Sequence, residues 1–230
     1  MYLDQLEQCL IQIKQVYIPF IWNNFSQRED TLFTRNDITG LILAGGEGRR
    51  VSGKDKGLLS YKGSSLIELQ IAWLAPQVKG LLISANRNID QYKEFNNLVL
   101  QDQTRHHGSS QFNGPLNGVL EALQNCATEW LFVQPIDVPN LPDNLIDRLH
   151  KKIFTQQHDT SVNCYYLRTT QREHYLSMLI HRCCLPKLDA FLAENNRRVK
   201  DFHAMIGSIS IDLNLDEDAF KNLNSIGDYR

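Results

Sequence analysis

The 230-residue chain has no apolar run near the roughly 18 residues that a membrane-spanning helix needs. Its most apolar early stretch, 16–22, is interrupted by Pro19, and acidic Asp4 and Glu7 precede any basic residue, unlike a secretory signal. It has no C-x-x-C pair. The cysteine count is odd, five in all (Cys9, Cys126, Cys164, Cys183 and Cys184), which argues against a disulfide framework and a Cys-rich zinc site. It has no basic surplus: 24 Lys and Arg against 26 Asp and Glu give a net charge of −2. That excludes the electrostatic footprint of a nucleic-acid binder or of a protein held on an anionic membrane. Small anionic ligands need only a local positive site. No internal repeat or low-complexity block occurs. What is left is a globular protein of a reducing cytoplasm, with 42% hydrophobic and 22% charged residues.

Residues 1–37 read as an N-terminal extension. Leu3, Leu6, Leu10, Ile13 and Tyr17 recur at spacings of three and four, which predicts an amphipathic helix. Residues 23–37 are polar and aperiodic and read as a linker. From 38 to 230 the rhythm is that of one α/β domain. Short apolar runs at 40–44, 81–84, 98–100 and 130–133 predict buried strands, with helices at 65–77 and 116–126. Pro142 suits the first turn of a helix carrying Leu145, Ile146, Leu149 and Ile153. This alternation implies right-handed βαβ units and a mostly parallel central sheet flanked by helices. The tail is more mixed, with strands at 161–167, 175–180 and 208–213 and helices at 185–195 and 199–206.

The densest chemical signal is 43–58, LAGGEGRRVSGKDKGL. Glycines after a strand let the backbone approach a ligand, and exposed N–H groups can hold phosphate oxygens. Arg49, Arg50, Lys54 and Lys56 add positive charge. A dinucleotide fingerprint begins at Gly46 and Gly48, but Val51 takes the place of its third glycine. A P-loop fits from Gly48 to Lys54, but Asp55 stands where a hydroxyl would hold magnesium, and its charge would repel phosphates. Asp137 follows the apolar run 130–133 within the proline-stiffened segment QPIDVPNLP, 134–142. It can organise a turn or hold a hard cation through its oxygens. Asp102 follows the strand at 98–100, and Gly114 to Gly118 opens a helix. In a parallel sheet these elements meet along one edge, where ligands bind. His106 and His107 have no third ligand at metal-binding spacing; the loop 103–112 around them could close over a substrate.

With these residues the chain resembles the molybdenum cofactor guanylyltransferases, the MobA family, over about residues 39–230. The shared features are LAGG at 43–46, Arg50, DKGL at 55–58, Ala85-Asn86-Arg87, Asp102, the GPLxG element at 114–118, PxDxP at 135–139, Arg197-Arg198-Val199 and NLN at 222–224. The resemblance implies a Rossmann-like nucleotidyltransferase domain over 38–230 that transfers GMP from GTP to molybdopterin with Mg2+ and releases pyrophosphate. By position, Leu43, Ala44, Gly45, Lys56 and Asp102 would contact GTP, and Asp137 would hold Mg2+. Gly46, Arg50, Gly53 and Gly118 would complete the nucleotide site, and Asn222 and Asn224 would lie near the acceptor. Arg50, Lys56 and Asp137 would carry the catalysis. Other proteins of molybdenum cofactor biosynthesis are candidate partners, and the expected state is a monomer or weak oligomer. Ser84 stands where the family often has an asparagine that contacts guanine, and serine reaches less far. Ser52, Ile136 and Ile226 replace a glycine, a cysteine and a proline. The rival readings are a nucleotidyltransferase using another NTP or a sugar phosphate, a nicotinamide-dependent oxidoreductase, and a silent nucleotide binder.

Overall fold

A computed structural model describes residues 33–46, 53–95, 97–102, 114–155, 162–224 and 226–229. The first strand is β1 (Ile38–Leu43). A hairpin, β2 (Ser60–Tyr61) and β3 (Ser64–Ser65), precedes α1 (Leu66–Leu74). Then come β4 (Gly80–Ser84), α2 (Ile89–Lys93), β5 (Leu98–Leu100), α3 (Pro115–Asn125) and β6 (Trp130–Pro135). The chain continues through α4 (Leu145–Thr155), β7 (Cys164–Arg168), β8 (Glu173–His181), α5 (Leu185–Ala193), α6 (Val199–Ile206) and β9 (Ile209–Asp212).

Among the described residues seven strands form one sheet, in the order β5-β4-β1-β6-β8-β7-β9. The pairs β5–β4, β4–β1 and β1–β6 are parallel. Their register aligns Leu100 with Ser84, Ser84 with Leu43, and Leu43 with Pro135. The carboxyl ends of four strands therefore stand in one row. β8 runs antiparallel to both β6 and β7, so its opening residues lie beside the end of β6. β9 pairs parallel to β7, and the chain beyond it starts from the same edge.

Every residue of β1 is buried because helices cover both sheet faces. On one face Leu41, Leu131 and Val133 meet α3, α5 and α6 through Leu116, Val119, Leu120, Leu188 and Phe202. On the other, Trp73 of α1 packs on Phe132 with ring centres 6.5 Å apart. Ser65 starts α1 with a capping box: Glu68 N donates to Ser65 Oγ, while Ser65 N donates to Glu68 Oε2 at 2.7 Å.

Three sequence expectations shift. Phe33, inside the segment read as a linker, is buried against the rings of Trp130 and His150. Thr34 caps the 3-10 turn Arg35–Asp37 that follows it. A lone aromatic creates no periodicity, so the sequence pattern missed this anchor; residues 1–32, including the amphipathic stretch, lie outside the described residues. Pro142 precedes α4 instead of sitting in its first turn, because its carbonyl accepts both Leu145 N (3.1 Å) and the Trp73 indole (3.0 Å). The β2–β3 hairpin and α2 were too short to register as patterns. Among the described residues no helix is long and apolar enough to cross a membrane.

Four histidines, His150, His174, His181 and His203, are held below the ordinary imidazole value of 6.5, in each case mainly by burial. His203 is 3% exposed, with Nδ1 2.8 Å from Ser208 Oγ and Nε2 donating to Tyr175 O at 2.9 Å, an arrangement that suits the neutral ring. The unfolded chain binds these protons more readily than the folded one. Stability is therefore complete above about pH 6.5 and is lost as pH falls toward the folded values. The melting temperature should drop as pH falls from about 6.5 to about 5, and His203→Gln should flatten that drop. A profile that stays level over this window would contradict the reading.

Candidate active site

The row of strand ends opens into a cavity of about 650 Å³. Its floor is set by hydrogen bonds that carry the parallel pairing one residue further: Ala44 N to Ser84 O (2.8 Å), Ala85 N to Leu100 O (2.9 Å) and Ile136 N to Leu43 O (3.1 Å). Leu43, Ala44, Gly45 and Gly46 line one side, and Pro135, Ile136 and Asp137 another. Among the described residues nothing lies within 4 Å of where a side chain at Gly46 would start. Lys56 reaches across the opening, and its Nζ lies 2.9 Å from Asp137 Oδ2. Both side chains are 19% exposed, so the pair is reachable from the cavity.

Each partner sits on a braced loop. Behind Asp137, the Gln70 and Gln134 amides both donate to Val138 O, at 2.9 and 3.3 Å. Leu223 N donates to Asp137 O at 2.9 Å, which ties the tail to the same loop and brings Asn222 and Asn224 to the cavity wall. Behind Lys56, Asp55 turns inward and is 7% exposed. It accepts from Gly57 N (3.1 Å), the Tyr92 hydroxyl (2.7 Å) and the Asn88 amide (3.0 Å). The expected repulsion of phosphates by Asp55 therefore does not arise, because the carboxylate faces the protein and acts as the cap of the 3-10 turn Lys56–Leu58. Burial, and Asp55 itself, push the Tyr92 hydroxyl up, which keeps it a donor.

Residues 40–206 match the model of the MobA-like NTP transferase domain. The chain is 37% identical over 189 residues to the molybdenum cofactor guanylyltransferase of Serratia proteamaculans, covering 82% of this chain and 90% of that one. It is 35% identical over 202 residues to that of Cupriavidus necator, covering 86% and 98%. The chain belongs to the molybdenum cofactor guanylyltransferase (MobA) family. It is a nucleotidyltransferase. In fold it is similar to the molybdopterin-guanine dinucleotide biosynthesis protein A of Archaeoglobus fulgidus, with a TM-score of 0.63, 18% identity, and 83% and 94% of the two chains covered. Enzymes of this family are generally metal-dependent.

Of the positions that the MobA resemblance singled out, Leu43, Ala44, Gly45, Gly46, Lys56, Asp137, Asn222 and Asn224 line the one cavity. Asp102 stands beyond β5 in a reciprocal pair with Asn86, whose amide donates to Asp102 Oδ2 while Asp102 N donates to Asn86 Oδ1, both at 2.9 Å. Gly53 takes φ +76° and offers its carbonyl to Arg87. Gly118 lies inside α3, where a Cβ would collide with the Ser84 hydroxyl and come 3.0 Å from Leu43 Cδ2; it lets the helix approach the strand ends. Ser84 is 3% exposed beneath it. Arg50 and the loop with His106 and His107 lie outside the described residues. Among the described residues no cluster of three or more His, Cys, Asp or Glu could enclose a metal. Arg87, part of the Ala85-Asn86-Arg87 motif but with no role implied by the resemblance, also lines the cavity. The available signal was the polar triplet Asn86-Arg87-Asn88 directly after an apolar strand.

Gly57 is buried, and a Cβ there would collide with the Tyr92 hydroxyl and lie 3.2 Å from Tyr92 Cζ. Gly57→Ala should destabilise the protein by about 1–3 kcal/mol in urea unfolding, as overpacking does. Tyr92→Phe in the same chain should recover part of that loss. Unchanged stability of Gly57→Ala would contradict the packing described.

Proposed function

We propose that this protein transfers GMP from GTP to molybdopterin, forming molybdopterin guanine dinucleotide and releasing pyrophosphate in the cytoplasm. The observation that carries the reading is the Lys56–Asp137 pair, set on a cavity that the strand-end glycines Gly45 and Gly46 also line. In this reading the acceptor's terminal phosphate oxygen bonds to the α-phosphorus of GTP. The bond from that phosphorus to the bridging oxygen of pyrophosphate breaks. The attacking phosphate is already anionic at neutral pH, so no general base is required.

Asp137 fits a hard cation, since its Oδ2 already faces the ammonium of Lys56. A single carboxylate leaves phosphate oxygens and waters to complete the coordination, which is the habit of Mg2+. When bound, Mg2+ supplies neutralising charge on the triphosphate and its leaving group. Lys56 then turns from Asp137 to the phosphates and stabilises charge that develops as pyrophosphate departs. By the family resemblance Arg50, six positions before Lys56 in the sequence, would add a second cation. The backbone of Leu43, Ala44, Gly45 and Gly46 lies alongside the nucleotide, and Asp102, held by Asn86, contacts it at the β5 end. Gly53 and Gly118 shape the site through the turn and the close helix approach they permit. Asn222 and Asn224, tied through Leu223 to the Asp137 backbone, face the acceptor.

The direct test is Mg2+-dependent pyrophosphate release from GTP with and without molybdopterin. Asp137→Ala should lower turnover by about 10²–10³-fold, and Lys56→Ala should cost roughly 3 kcal/mol in kcat/KM, the scale of a lost electrostatic contact to a developing charge. Near-normal rates in both variants would remove the assignment. GTP at about 100 times its Kd should stabilise the fold by about 2.7 kcal/mol. Equal stabilisation by CTP, ATP or UTP would contradict the choice of nucleotide.

A further inference from the structure

Arg87 leaves the end of β4 from a rigid base, since Ala85 is hydrogen-bonded to Leu100 of β5. Its guanidinium spreads over the segment leading into Lys56. Nη1 donates to Gly53 O at 2.7 Å and Nη2 to Lys54 O at 2.8 Å. Nε lies 3.6 Å from Asp55 Oδ2. One planar group thus bonds the carbonyls of two consecutive residues and stands at ion-pair distance from the carboxylate of the third, and the fourth is Lys56. Among the described residues Arg87 is the only cation within ion-pair distance of the Asp55 carboxylate, which is itself almost fully buried. Asn88, at φ +51°, donates to the same carboxylate oxygen, Oδ2, and the Tyr92 hydroxyl donates to the other, Oδ1.

We propose that Arg87 is a positioning residue for Lys56: its fork fixes residues 53–55 so that the next ammonium is delivered to Asp137 and the phosphates. The proposal rests on the reading of Lys56 given above. Arg87 acts through Lys56: one N–H of each terminal nitrogen goes to a backbone carbonyl of the segment that leads into Lys56, which ties its fork to that segment. A lysine at this position would keep the charge but cannot donate in a fixed fork to two neighbouring carbonyls. The consequence of loosening the fork is a misplaced Lys56, and a misplacement of about 1 Å can cost about a hundredfold in rate.

The test is a set of steady-state kinetics on Lys56→Met, Arg87→Met, Arg87→Lys and the double variant Lys56→Met/Arg87→Met, with rates expressed per folded molecule from thermal melts. Arg87→Met and Arg87→Lys should each lose about tenfold or more in kcat, with a smaller change in KM for GTP. In the Lys56→Met background, Arg87→Met should add almost nothing. Tyr92→Phe, which loosens the same carboxylate without altering charge, should slow turnover in the same way and to a smaller extent. Restoration of activity by Arg87→Lys, or losses that multiply in the double variant, would overturn the proposal in favour of a direct phosphate contact. A normal kcat in Arg87→Met would overturn it outright. A normal kcat in Lys56→Met would instead remove the reading of Lys56 on which it rests, a different outcome from a slow Lys56→Met beside a normal Arg87→Met.

Discussion

The ion pair between Lys56 and Asp137 joins two loops that leave neighbouring parallel strands, β1 and β6, and the rest of the site is arranged around keeping those loops in register. Behind the carboxylate stand Gln70, Gln134 and the tail at Leu223; behind the ammonium stands the buried Asp55 with Arg87, Asn88 and Tyr92. The register of the sheet sets the starting points of both loops, and buried polar groups set where they finish.

The pair itself contributes little to the fold. A partly exposed ion pair is worth roughly 0–1 kcal/mol, because solvent screens it and ordering two side chains costs entropy. That weakness suits the proposed task. An ammonium held by one carboxylate at the rim of a cavity can transfer to phosphate oxygens without a large rearrangement, and the carboxylate it leaves is free to take a cation. The buried bracket beneath Lys56 is different in kind. The Asp55 carboxylate is removed from water, so each of its partners must be present to offset desolvation. The protein therefore invests its rigidity one residue away from the group that moves.

The parallel half of the fold was legible because buried parallel strands are continuous apolar runs followed by glycine or aspartate, as after Leu43 and Val133; the run at 98–100 also forms a strand, but at the sheet edge, where Leu98 is exposed and only Leu100 is buried. The same rule puts the segments of Lys56 and Asp137 on one edge of the sheet. Three features were not legible. Asp55 looked like an obstacle to phosphate because sequence says nothing of which way a side chain turns, and its inward partners come from residues 33 and 37 positions later. Arg87 was legible only as part of a motif and not in its task, since its partners, two backbone carbonyls and the Asp55 carboxylate, lie more than thirty positions away. Gly118 read as a loop glycine near a ligand, whereas its need is steric, against Ser84 and Leu43 inside a helix. Long-range contacts of single residues leave no period in a sequence.

The central claim is that Lys56 and Asp137 serve one triphosphate, the first by moving and the second by taking the metal. A crystal structure with GTP and Mn2+ tests it most directly, using anomalous scattering to locate the metal. The account predicts the metal on a carboxylate oxygen of Asp137, bridged to phosphate oxygens, with Lys56 Nζ swung onto the phosphates and its contact with Asp137 broken. Metal bound on another surface, or an intact Lys56–Asp137 pair beside a bound triphosphate, would contradict it.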